Sequence, residues 1–203
     1  MMDLPTMISF RHAALAVALL SVAPALAGNT LVPAGAPVAV AKSGLTVTPA
    51  GEWNRLGARP GRNAETWTRD GDPLNDLTFY GGIVDGQPII REVSRRSKPL
   101  PRFAGTMLLS DVPALFEQSY RIGFDTPLME IQKVEPVAFA GHKGVRFTYQ
   151  FTRPEEDVRR LGEGHATIVA GRLYMTTFEA PAIFYFDRDI AAARAIATSA
   201  TLP

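Results

Sequence analysis

Between residues 145 and 151 the chain alternates strictly. Val145, Phe147, Tyr149 and Phe151 are apolar, and Arg146, Thr148 and Gln150 between them are polar. A period of two sends successive side chains to opposite sides of an extended backbone, so the pattern predicts an antiparallel strand with one face buried. Within "LMEIQKVEPVAFAGHKGVRFTYQFTRP" this strand pairs with the one before it around a tight turn at Gly141-His142-Lys143-Gly144. Upstream, "AETWTRDGDPLNDLTFYGGIVDGQPIIREV" is rich in Thr, aromatic and β-branched residues and is punctuated by Asp70-Gly71 and Asp85-Gly86. Turn dipeptides between such runs predict a meander with strands near 64–69, 75–83 and 88–94. Gly81-Gly82 marks a bulge or a close backbone approach within it. "SGLTVTPAGEWNRL" adds a short first strand and a loop carrying Trp53.

Two segments carry the helical period instead. Ser110 stands in an N-cap position, Val112, Leu115, Phe116, Tyr120 and Ile122 form an apolar face, and Gly123 is a stop signal. Near the end, Asp187 is placed to cap a helix reaching about Ser199, with Ile190, Ala193, Ile196, Ala197 and Ala200 on one side. Between these helices, strands at 165–170 and 172–179 are joined at Ala170-Gly171. "EEDVRRLGEG" interrupts the sheet, with Glu155–Arg159 and Glu156–Arg160 at the spacing of one helical turn. Pro99 and Pro101 make "SRRSKPLPRFAG" a loop. The sum is an α+β fold: a single domain over 44–203, its antiparallel sheet packed with helices.

The first residues change where that domain lives. Arg11 and His12 precede the run Ala13 to Leu20, and Ala25-Leu26-Ala27 follows Pro24. A basic start, a short apolar run and an Ala-x-Ala site make a secretory signal peptide, cleaved after Ala27. The alternative is an uncleaved membrane anchor, but the run is short for a full span. Residues 28–43, "GNTLVPAGAPVAVAKS", hold Pro33 and Pro37 and show no sustained period, predicting a flexible tether. The chain has no cysteine, so an exported form has neither disulfides nor a lipidation site. Cleavage removes Asp3 and Arg11 together and leaves the net charge at +1, which argues against nucleic acid as partner. The localisation expected is the bacterial periplasm.

The local patterns "FAGHKGVRFTYQF", "GHATIVAGRLYMTTFEAP" and "ARAIATSATL" resemble the PsbP-like or DcrB-like group of α/β/α sandwiches. The matching positions are Gly141 to Gly144 between two strands, Gly171 to Tyr174 in a hairpin before the closing helix, and Ser199 at that helix's end. The resemblance implies a small exported or organelle-lumen protein that assists larger complexes, and it carries no catalytic residues across.

Candidate chemistry is sparse. His142 and His165 are the histidines of the mature chain and lack metal-ligand spacing, so neither a metal nor another cofactor is expected. No G-x-S-x-G elbow or phosphate-binding glycine loop occurs. Asp70, Asp72, Asp85, Asp125, Glu130 and Glu135 stand mostly beside Gly or Pro, where turn geometry accounts for them. Glu179 differs, because it ends an aromatic strand before Ala180-Pro181 and could line a pocket or be solvated at the sheet edge. Arg91, Arg95, Arg96, Lys98 and Arg102 form the densest basic run, a surface for an anionic or envelope partner or a solvated loop. Phe184, Tyr185 and Phe186 cannot all point inward from one strand, so at least one is a candidate contact unless a bend tucks all three under the helix. Two functions follow as expectations. The first is a non-enzymatic accessory or binding protein of the cell envelope. The second is a cofactor-free hydrolase using Glu179 with His165, and a membrane link exists only if the signal segment is retained.

Overall fold

The computed structural model describes residues 28–154 and 156–203. The predicted signal peptide with its cleavage site, and Glu155 of the predicted surface pair, lie outside the described residues. In chain order the elements are β1 (Thr30–Val32), β2 (Val38–Ala39), β3 (Thr46–Val47), β4 (Trp53–Arg55), β5 (Ala64–Thr68), β6 (Asp76–Ile83), α1 (Val112–Gly123), β7 (Glu130–Phe139), β8 (His142–Thr152), β9 (Arg159–Val169), β10 (Arg172–Pro181) and α2 (Tyr185–Thr198). Among the described residues, eight strands form one sheet in the order β1-β4-β5-β6-β10-β9-β8-β7, every pairing antiparallel. The short pair β2–β3 stands apart and is tied to the chain end by a bridge from Thr46 to Thr201.

Period-two alternation decides which side each residue serves. Val145, Phe147, Tyr149 and Phe151 of β8 face α1, together with Tyr80, Met175 and the α1 residues Leu115, Phe116 and Tyr120. Trp67, Leu77, Phe79 and Phe178 face the other way and pack with Ala193, Ile196 and Ala197 of α2. One sheet with a helix on each face is an α/β/α sandwich in a single domain. Burying a ring or branched side chain contributes roughly 1.5–3 kcal/mol, so each helix is held chiefly by its apolar stripe.

Two hairpins fix the register of the long strands. Ala140-Gly141 (φ 50° and 79°) and Ala170-Gly171 (φ 49° and 68°) both place two residues at positive φ, the two-residue turn whose twist suits a hairpin. The first turn therefore sits two residues earlier than the sequence pattern predicts, and His142 and Lys143 belong to β8.

Other expectations are corrected. Residues 28–43 are not a tether: β1 pairs with β4, and Val32, Val40 and Ala41 are buried in the α2-side core. The edge at β4 takes a partner strand, and the apolar residues of this segment gain more by burial than by remaining in solvent. Residues 88–94 form no strand, because β6 already has β5 and β10 on its two sides. Ile89 and Ile90 instead plug the α1-side core from a loop. A short 3-10 turn, Leu109–Asp111, precedes α1, so Ser110 is not its N-cap. "EEDVRRLGEG" does not break the sheet, since β9 begins at Arg159 opposite Thr152, and Arg160 lies within the ladder. Phe184, with φ 73°, begins α2, leaving Asp187 in the first turn.

Candidate functional site

Glu179 of β10 and Asp76 of β6 stand directly opposite each other in the ladder, on the α1 side. Like charges at such positions repel, and both residues are buried, with 6% and 8% of their surface exposed. Arg153, just past the end of β8, bridges them. Its Nη2 donates to Asp76 Oδ2 at 2.9 Å and to Glu179 Oε1 at 3.5 Å, while Nη1 reaches Asp72 Oδ1 at 3.4 Å. The hydroxyls of Tyr120 on α1 and Tyr149 on β8 donate to Glu179 Oε2 at 3.0 and 3.2 Å. Asp76 Oδ1 is buried and has no hydrogen-bond partner among the described residues.

A glycine makes this placement possible. A Cβ at Gly162 would lie 2.1 Å from the Tyr149 ring, so only a residue without a side chain lets that ring lie across β9 beneath α1. Its hydroxyl then reaches Glu179, which pairs with Gly162 across the ladder.

Burial, reinforced by the negative charge of Glu179 and Asp72, pushes the Asp76 carboxyl up to about 7 despite the Arg153 and Arg160 guanidiniums. Burial and then the Glu179 charge also push the Tyr120 and Tyr149 phenols well above their usual range, so both remain neutral donors. The cluster opens into a cavity of about 470 Å³. Tyr80, Tyr120, Phe124 and Phe151 supply aromatic wall, and Leu56, Pro60, Arg153 and Pro154 also line the cavity. Chemically, the site offers two adjacent carboxyls, one unpartnered acceptor and neutral phenols in a partly dry setting. No group of three or more His, Cys, Asp or Glu among the described residues is placed to hold a metal ion.

Glu179 thus lines a cavity, buried rather than solvated at an edge. His165 is not its partner. It pairs with Thr176, three residues before Glu179, so the two side chains fall on opposite faces of the sheet. There Nε2 of His165 lies 3.6 Å from Glu163 Oε1, and Arg194 holds Glu163 by two bonds of 2.9 and 2.6 Å. The hairpin turn at Ala170-Gly171 already dictates this parity. The predicted Glu179–His165 catalytic pair does not exist.

The basic run is divided. Lys98 pairs with Asp125 at 3.0 Å and Arg102 with Glu92 at 2.7 Å, whereas Arg91, Arg95 and Arg96 are exposed and make no ion pair among the described residues. Phe184 is 63% exposed, and Tyr185 and Phe186 pack on the α2-side core. Arg188 lies 5.3 Å over the Phe184 ring and 5.0 Å over that of Tyr185. The basic loop is anchored through Ile89, Ile90 and Leu100 in the core on the opposite face. The two patches are therefore separate surfaces, not the single one expected.

Asp76, Arg153, Tyr120 and Tyr149 escaped the sequence reading of the site. The available signal was Asp76 itself, a charged residue sharing a strand face with Thr78 and Tyr80 in an otherwise apolar run.

No family model matches the chain, and no curated protein does. Among solved structures, it is similar to cyanobacterial PsbP (CyanoP) from Synechocystis sp. PCC 6803, with a TM-score of 0.51 and 13% identity over 88% of this chain and 94% of that one. It is also matched to LpqN of Mycobacterium tuberculosis, described as involved in cell envelope biogenesis, with a TM-score of 0.36 and 10% identity over 86% of this chain and 92% of that one. The first similarity shows a PsbP-like fold. No helix among the described residues is long and apolar enough to cross a membrane.

Proposed function

We propose that the protein is an exported, periplasmic accessory or binding protein of the bacterial cell envelope, and that it holds a small ligand in the Asp76–Glu179 cavity. The observation that carries the binding reading is the buried acceptor Asp76 Oδ1, without a partner among the described residues, at the wall of a cavity of about 470 Å³. That volume lies within the range of small-molecule sites, and buried polar atoms ordinarily find partners. Export rests on the leader pattern before Gly28. N-terminal sequencing of the protein from a periplasmic fraction should begin at Gly28, and an intact N-terminus in the cytosol would overturn it. The exposed Arg91, Arg95 and Arg96 are the surface offered to an anionic envelope partner. Reversal of Arg95 and Arg96 to Glu should abolish cross-linking to that partner while stability stays within about 0.5 kcal/mol; unchanged capture would remove this surface.

One observation favours a second reading. A carboxyl held near 7 beside another carboxyl suits a general acid at neutral pH. Chemical conversion of a bound ligand, lost in Asp76→Asn, would establish catalysis; recovery of the ligand unchanged supports binding.

A further inference from the structure

We infer that the cavity takes an organic cation, a primary ammonium or guanidinium on an apolar or aromatic body, with Asp76 Oδ1 accepting from its charged head. The inference rests on the cavity being a binding site and names the ligand class for it.

Charge around the cavity is unbalanced. Asp72, Asp76, Glu156 and Glu179 line it against two cations, Arg59 and Arg153. Arg59 sends Nη2 to Glu65 on the opposite sheet face at 3.6 Å, while its Nη1 is buried without a partner among the described residues. Arg153 alone is shared among Asp72, Asp76 and Glu179. An anion bound here would face four carboxyls against two guanidiniums, and a neutral ligand would leave the carboxyls' repulsion in place. A cation relieves it and satisfies Oδ1 with a charge-assisted bond. The aromatic rings on the same wall favour the cation again, since an ammonium over a ring face gains from the ring quadrupole. Phe124, 43% exposed and edge-on to Tyr120 at 4.8 Å, stands where the body of such a ligand would lie.

The cation must also displace a proton. Glu179 from β10, Asp72 from the β5–β6 connection, Arg153 and Arg160 from the ends of β8 and β9, and the neutral phenols of Tyr80, Tyr120 and Tyr149 surround Asp76. Burial, and then the Glu179 and Asp72 charges, hold its carboxyl near 7 against the pull of the Arg153 and Arg160 guanidiniums. The ammonium binds the ionised form, so affinity should rise with pH. Ionisation changes from about one tenth to about nine tenths between roughly pH 6 and pH 8, which predicts about tenfold tighter binding.

The test is calorimetric titration of the intact mature protein with phenethylammonium, 2-phenylethanol and phenylacetate at both pH values. The ammonium alone should bind, about tenfold more weakly at the lower pH. Asp76→Asn should lose at least about tenfold in affinity at the higher pH and abolish the pH dependence. Phe124→Ala should weaken the ammonium at both pH values and keep their ratio, which separates loss of wall from loss of charge. If the alcohol or the carboxylate binds as tightly, and Phe124→Ala weakens it, the cation inference falls while the cavity remains a binding site. If none of the three binds up to about 10 mM, a limit of only a few kcal/mol of affinity, both the inference and the binding reading fall.

Discussion

Replacing Asp76 by Asn should make the protein more stable, by an amount that grows with pH. Holding a carboxyl at about 7 instead of 3.8 means that the folded chain keeps a proton the unfolded chain releases. Stability from this group is complete below about pH 3.8, falls as pH rises, and is fully lost once pH passes about 7. Three pKa units correspond to about 4 kcal/mol, an upper bound for the deficit that wild type carries near pH 8. Asn is not ionised, so it does not carry that deficit. Its oxygen can still accept from Arg153, whose attraction for the ionised carboxyl is already contained in the value of about 7, and solvent relaxation around the ionised group takes up roughly half of the upper bound. The net expectation is a variant about 2 kcal/mol more stable near pH 8 and equal or slightly less stable near pH 4. Urea unfolding followed by fluorescence of Trp53 and Trp67, both buried in the α2-side core, measures this directly. Glu135, held down to about 2 by Arg146, and Asp189, held down by Arg188, titrate in both proteins and cancel in the difference. A difference that stays flat between pH 4 and pH 8, or that shrinks with pH, would refute the reasoning.

Two further substitutions probe the scaffold. Gly162→Ala should drive Tyr149 off β9 and cost about 1–3 kcal/mol, and its loss of the Glu179 hydrogen bond should appear as an altered tyrosine environment in near-ultraviolet dichroism; an unchanged melting temperature and spectrum would show that the ring has room to move. Ser199→Ala removes an acceptor that takes the Thr48 N–H at 2.8 Å and a donor to Ile196 O, tying β3 to the end of α2. It should cost about 1 kcal/mol, or roughly 2–4 °C in melting temperature for a chain of this size; no shift at all would mean that solvent replaces both bonds.

Local pattern carried much of the architecture. Alternation in β8, the positive-φ pair at Ala170-Gly171 and the apolar stripes of both helices are properties of neighbouring residues, and each was readable in the chain. Even the separation of His165 from Glu179 is local, because one hairpin turn fixes which residues share a face. Residues 28–43 and 88–94 were harder for the opposite reason. Whether an apolar stretch becomes a strand depends on whether a sheet edge is free to receive it, and that depends on every other strand. The candidate site belongs wholly to this second kind of information. Asp76 meets Glu179 because β6 and β10, distant in sequence, became neighbours in register. Arg153 and the phenols of Tyr120 and Tyr149 then arrive from two further segments, α1 and the end of β8. The sequence by itself determined the long central strands, the turn at Ala170-Gly171, the two helices and the face their residues serve, through periods of two and of about four. Only the tertiary structure decided which buried charges would share a cavity, because burial and proximity between remote segments, not residue type, set their electrostatics.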